Sequence, residues 1–90
     1  MLPLLISVYM LVHSWYDADC CGEGDCKPVP ASDLIEIEGG WKYLPTGNEF
    51  RNDGTKTRIR PSKDRNFHVC IGRMPHDLGV SYCIYILSGA

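Results

Sequence analysis

The sequence predicts a mostly β fold: a small antiparallel sheet of about four to five strands, attached to an irregular, disulfide-linked N-terminal segment. Three observations carry this. Phe67, Val69 and Ile71 alternate with His68 and Cys70, and Tyr82, Ile84 and Ile86 alternate with Cys83, Tyr85 and Leu87, which is the two-residue period of strands. No stretch of useful length shows the 3.6-residue apolar period of a helix. Five cysteines in 90 residues exceed what a reduced cytosolic core usually carries and point to cross-links or a metal.

The length allows one small domain. With 44% hydrophobic and 22% charged residues, the composition is that of an ordinary globular chain. A net charge of −2 argues against a generic binder of nucleic acid or of anionic membranes.

Leu2 to Val12 is an apolar run interrupted by Pro3 and Ser7. It is shorter than the roughly 20 residues of a membrane-spanning helix, so no stable membrane span is expected. Its length suits the apolar part of a secretory signal, with Val12 and Ser14 as the small residues before a cleavage site. Residues 1–14 are therefore read as a signal segment and residues 15–90 as a single small β domain, periplasmic or secreted. No Lys or Arg precedes Lys27, which departs from the usual basic leader. The alternative is that Leu4, Leu5, Ile6, Val8 and Leu11 stay on the chain and pack on its core.

Residues 15–33 cluster Cys, Gly, Asp and Pro without a period and read as irregular, ending in the stiff Lys27-Pro28-Val29-Pro30. Leu34 to Leu44 reads as a β-hairpin. A three-residue loop, Glu38-Gly39-Gly40, pairs Ile37 with Trp41 and Ile35 with Tyr43, sets Glu36 against Lys42, and gives Gly40 the left-handed position. A short strand is expected around Asn48 to Arg51, then a turn at Asn52-Asp53-Gly54. Thr55 to Arg60 alternates, with Lys56, Arg58 and Arg60 on one face. The last two strands are apolar on nearly both sides, which marks them as central in the sheet.

Cys20, Cys21, Cys26, Cys70 and Cys83 are an odd set, so two bridges leave one thiol over, and the spacing selects no pairing. If the last two strands form a hairpin, Cys70 and Cys83 face each other; equally, each ties the N-terminal segment to the sheet. A bond between Cys20 and Cys21 is disfavoured by strain. The competing reading is a zinc site from Cys21, Cys26, Cys70 and Cys83 with His68, but only Cys21 and Cys26 approach the spacing of a zinc knuckle. Asp17, Asp19, Gly22 and Asp25 follow part of a calcium loop, which Cys21 and Pro28 then break.

Charge divides along the chain: residues 1–50 carry −6 and residues 51–73 carry +5. The Lys56, Arg58, Arg60 stripe is a candidate surface for a phosphate or carboxylate, or it pairs with the acidic first half. Trp15 and Tyr16 are further candidate contact residues, Trp15 alternatively being a core plug. No Ser elbow, phosphate-binding Gly loop or carboxylate pair is present, and His68 and Cys70 are held too far apart by the strand to act together, so no enzyme and no cofactor are expected.

His13-Ser-Trp-Tyr-Asp17, Cys20-Cys21-x4-Cys26-x-Pro28-Val29-Pro30, Gly40-Trp41 and Arg60-Pro61-Ser62-x-Asp64-x-x-Phe67-His68-x-Cys70 together resemble an uncharacterised group of small secreted bacterial proteins. The resemblance implies export and shared cysteine positions, implies no activity, and shifts the expected cleavage to just before His13. The expectation is an exported, disulfide-stabilised binding or structural module whose partner is a protein or an anionic envelope ligand, with a zinc-binding protein as the alternative.

Overall fold

Among the described residues seven strands form two sheets: β1 (Gly24–Val29), β2 (Leu34–Ile37), β3 (Gly40–Tyr43), β4 (Asn48–Arg51), β5 (Ile59–Pro61), β6 (Phe67–Gly72) and β7 (Ser81–Ile86). They are seen in a computed structural model that describes residues 15–21 and 24–87. The expected signal segment, residues 1–14, lies outside the described residues. A four-stranded sheet has the order β1-β6-β7-β5, and a three-stranded sheet has the order β2-β3-β4. All pairings are antiparallel except β5 with β7. The two strands expected to be central, β6 and β7, are central and pair with each other.

The N-terminal segment holds more regular structure than its composition suggests. One helical turn, α1 (Ala18–Cys21), leads into β1. β1 accommodates Pro28 because it is an edge strand, where a missing N–H leaves no ladder bond unmade. Pro61 sits on the opposite edge, in β5, for the same reason.

The β2–β3 hairpin corrects the expected register. Leu34 faces Tyr43, Glu36 faces Trp41 and Ile37 faces Gly40 across a two-residue turn, Glu38-Gly39. Gly39, with φ of 76°, supplies the left-handed residue. Gly40 serves close approach instead: a Cβ there would fall 2.0 Å from the Phe50 carbonyl oxygen on β4. This register turns Leu34, Trp41 and Tyr43 inward together with Phe50, whereas Ile35 remains half exposed. Trp41 and Tyr43 share a face in either register; the observed one sets Leu34, packed on the core, beside Tyr43 in place of Ile35 and gives up the Glu36–Lys42 pair.

The expected Thr55–Arg60 strand is likewise shorter, starting only at Ile59. Asp53 accepts hydrogen bonds from the Thr55 and Lys56 backbone N–H groups, and Asn52 accepts from those of Arg58 and Ile59. These side chains supply partners that a strand would otherwise supply, so the segment closes as a loop.

Between the sheets lies an apolar core of Val29, Tyr43, Phe50, Val69 and Ile84, with Leu34, Trp41, Ile59, Phe67, Ile71 and Ile86 packed around it. The other face of the four-stranded sheet carries Cys70, Cys83 and Tyr85, and is covered by Trp15, Tyr16 and Cys20 of the N-terminal arm. At Tyr82 the β6–β7 register slips by one residue, so that Cys70 faces Cys83 while Ile71 faces Ser81. Tyr82 thereby joins the arm side of the sheet.

Candidate functional site

Two disulfides pin the arm to the sheet. Cys20 on α1 bonds Cys83 on β7, and Cys26 on β1 bonds Cys70 on β6. Cys26 and Cys70 lie directly opposite each other, as do Cys70 and Cys83. A Cys70–Cys83 cross-strand bridge does not form: each of the two is tied to the arm instead. The bridges close loops of 63 and 44 residues, long enough that each stabilises by about 4 kcal/mol on loop-closure entropy alone. Cys26 and Cys70 have no thiolate left for a metal, and neither does Cys83. Among the described residues, no group of three or more His, Cys, Asp or Glu side chains is placed to hold a metal ion.

The arm residues singled out in the sequence converge on one cluster. Tyr16 Oη lies 2.7 Å from His68 Nδ1, and His68 Nε2 lies 2.8 Å from Asp64 Oδ1. Both ring nitrogens of His68 are thus engaged, one by the tyrosine hydroxyl and the other by the carboxylate. His68 is 3% exposed. Trp15 stacks edge-on to His68 and Tyr85, with ring centroids 4.9 and 5.0 Å away. Tyr85 Oη accepts the Asp17 N–H and donates to Asp17 Oδ2, both at 3.0 Å. Asp64 sits four residues before His68, on the turn entering β6, where Ser62 and the Asn66 N–H also donate to its carboxylate.

The basic stripe is drawn into this cluster. Arg60 bonds Asp17 at 2.9 Å and both oxygens of Asp19 at 2.9 and 2.8 Å. Lys56 donates to the Asp19 carbonyl and lies over the Tyr82 ring, and Arg58 pairs with Asp53. Of the two arrangements open to the stripe, the geometry is the one in which it pairs with acidic residues.

The electrostatics follow from these contacts. The Arg60 hydrogen bonds hold the Asp17 and Asp19 carboxyls below the ordinary carboxylate range, against the smaller opposing effect of burial. Burial pushes Asp64 upward, but hydrogen bonds from His68, the Asn66 N–H and Ser62 bring it down to about 2. Burial raises the Tyr85 phenol. No buried side-chain nitrogen or oxygen among the described residues lacks a hydrogen-bond partner. Chemically this is a closed network that fastens the arm, with a shallow cleft of about 240 Å³ beside Trp15, Tyr16 and Pro28.

A larger concavity, about 720 Å³, opens between the two sheets at the end carrying the β3–β4 turn and the 73–80 loop. Its floor is Tyr43, Val69 and Ile71, and Leu78, Lys27 and Arg73 stand around it. The loop is built around Asp77, 5% exposed, which accepts from the Met74 N–H and the Tyr82 hydroxyl. Gly72 makes this possible: a Cβ there would lie 2.1 Å from the Asp77 carbonyl oxygen.

Neither the His68 partners nor this groove was anticipated from the sequence. A signal existed for the first, because a histidine within a buried strand pattern requires two polar partners, and Asp64 stands at hand. The groove joins residues from both sheets and had no local signature. Comparison with protein-family models, with curated proteins and with solved structures gives no match.

Proposed function

We propose that this chain is an exported, disulfide-stabilised small binding module, periplasmic or secreted, and not an enzyme. The observation that carries the reading is the pair of disulfides that staple the arm across a sheet too small to be held by its core alone. Such bonds persist in oxidising compartments. The resemblance of the Cys20-Cys21-x4-Cys26 region to small secreted bacterial proteins supports the same compartment.

Two features favour binding over catalysis. His68 is buried, with both ring nitrogens engaged by Tyr16 and Asp64. Arg60 is occupied by Asp17 and Asp19. A preformed concavity in a covalently braced frame suits capture of a ligand without a large ordering cost. An anionic envelope ligand is the partner class that Lys27, at the edge of this concavity, suggests.

The test is the intact mass of chain recovered from the exported fractions, measured before and after reduction with alkylation. The expected result is a mass deficit of two disulfides, one alkylatable thiol and a start near Trp15. Five free thiols with an added zinc mass, or an intact Met1 with reduced cysteines, overturn the proposal.

A further inference from the structure

We infer that the groove between the two sheets binds a small organic anion with an apolar body, of the aliphatic carboxylate type. The inference deepens the binding-module reading and rests on it. Three independent observations bear on the ligand's chemistry.

The first is size and lining. A concavity of about 720 Å³ falls within the roughly 300–1,000 Å³ typical of small-molecule sites. Its floor is aromatic and aliphatic: the Tyr43 ring and the Val69 and Ile71 side chains, of which Tyr43 and Val69 belong to the buried core.

The second is charge. The charged side chains that line the groove are Lys27 and Arg73, and no Asp or Glu lines it among the described residues. The Lys27 ammonium lies 5.9 Å over the Tyr43 ring and makes no salt bridge among the described residues. Lys27 contrasts with Lys56, Arg58 and Arg60, whose polar atoms are engaged by Asp17, Asp19, Asp53 and nearby carbonyls. A cation beside an apolar floor selects an anionic head on an apolar body, since a carboxylate gains a charged partner while the body displaces water from the half-buried Ile71 and the exposed Leu78.

The third is a rigid apolar lip. Leu78 is 74% exposed, yet its loop is fixed: Gly72 N–H donates to the Val80 carbonyl, Gly79 N–H to the Gly72 carbonyl, and Asp77 holds the Met74 N–H and the Tyr82 hydroxyl. A leucine that remains solvated because its backbone is locked keeps apolar area available to a ligand. Asn48 ties this lip to the opposite sheet, donating to the Gly79 carbonyl and to the Ser81 hydroxyl.

The experiment titrates the oxidised, exported chain with dodecanoate and with dodecyltrimethylammonium, which share an apolar body and differ in the sign of the head. Binding is read by calorimetry and by methyl NMR of Val69, Ile71 and Leu78. The expected result is saturable dodecanoate binding that moves those methyl signals and is at least about tenfold tighter than that of the cation. Lys27→Glu should weaken dodecanoate by a similar factor. Leu78→Asp, at an exposed position, should do so with an unchanged melting temperature, which separates loss of binding from loss of fold. Equal affinity for both heads, or no weakening by Lys27→Glu, overturns the anion assignment while leaving an apolar binding groove. Absence of binding by either amphiphile, with the disulfides intact by mass, overturns the groove as the site and leaves export and stapling to stand on the mass measurement.

Discussion

The two faces of the four-stranded sheet are held by different physics. Toward β2-β3-β4, Val69, Ile84, Phe50 and Tyr43 pack as apolar side chains, and the stabilisation is non-directional, scaling with area removed from water. Toward the arm, contacts are covalent or directional: two disulfides, the Tyr16–His68–Asp64 chain and the fork of Arg60 on Asp17 and Asp19. The first face tolerates volume-conserving exchange, whereas the second depends on individual atoms. A domain of this size reaches stability by adding the second kind of face to the first.

The sharpest way to break this asymmetry is to remove the bonds on one side. Changing Cys20, Cys26, Cys70 and Cys83 together to Ser should unfold the chain near 37 °C, since loss of a native bridge in a small secreted domain costs about 2–5 kcal/mol. Circular dichroism with and without reductant on the parent chain tests this, and a parent that melts at the same temperature in both conditions contradicts it. On the opposite face, Phe50→Ala should cost about 3–5 kcal/mol by leaving a cavity beneath Trp41 and Tyr43. Phe50→Leu should cost less, as denaturant midpoints would reveal.

Smaller effects come from the polar clamp. Arg60→Ala leaves Asp17 and Asp19 without their cation, and about 1–3 kcal/mol of destabilisation is expected because the removed side chain bonds both charges. Arg60→Lys should restore only part of it, since an ammonium cannot reproduce the two-pronged contact. If Arg60→Ala melts like the parent at low salt, the clamp adds nothing. Tyr16→Phe removes one hydrogen bond to His68, for about 1 kcal/mol.

The pH dependence carries the smallest expected signal. Asp17, Asp19 and Asp64 have carboxyls held below the ordinary value of 3.8 in the folded chain. Their contribution is therefore complete above that value and fades as acid titrates the folded carboxyls, for Asp64 down through about 2. Melting temperature should fall between pH 5 and pH 2, and Asp64→Asn should flatten part of that fall. A curve for Asp64→Asn parallel to the parent's rules out the His68 contact as a contributor.

The apolar face was legible in the sequence because alternation reports directly on burial: Phe67, Val69 and Ile71 lie where their period puts them. The hairpin register was not, because the Glu36–Lys42 pair and the isoleucines Ile35 and Ile37 favour one pairing locally, and only packing of Leu34 on the core shared with the opposite sheet decides for the other. β1 was missed since Pro28 reads as a breaker unless the strand is already known to lie at an edge. The arm's bridges were not legible: spacing selects no pairing, Cys70 faces both Cys26 and Cys83 across the strands, and the position of Cys20 on α1 beside Cys83 completes the pattern. Lys56, Arg58 and Arg60 illustrate the same limit. The sequence shows a cluster of like charge, and the fold supplies Asp17, Asp19 and Asp53 as its counter-ions.

The placement of Pro28 and Pro61 has a consequence for how copies of this chain meet. Both outer strands of the four-stranded sheet lose a backbone donor, so an incoming strand finds an interrupted ladder on either side. Crowded at high local concentration, such molecules resist joining edge to edge into a continuous ribbon. The sheet is in effect terminated at both ends, a safeguard against fibrils that asks nothing of the surface charges.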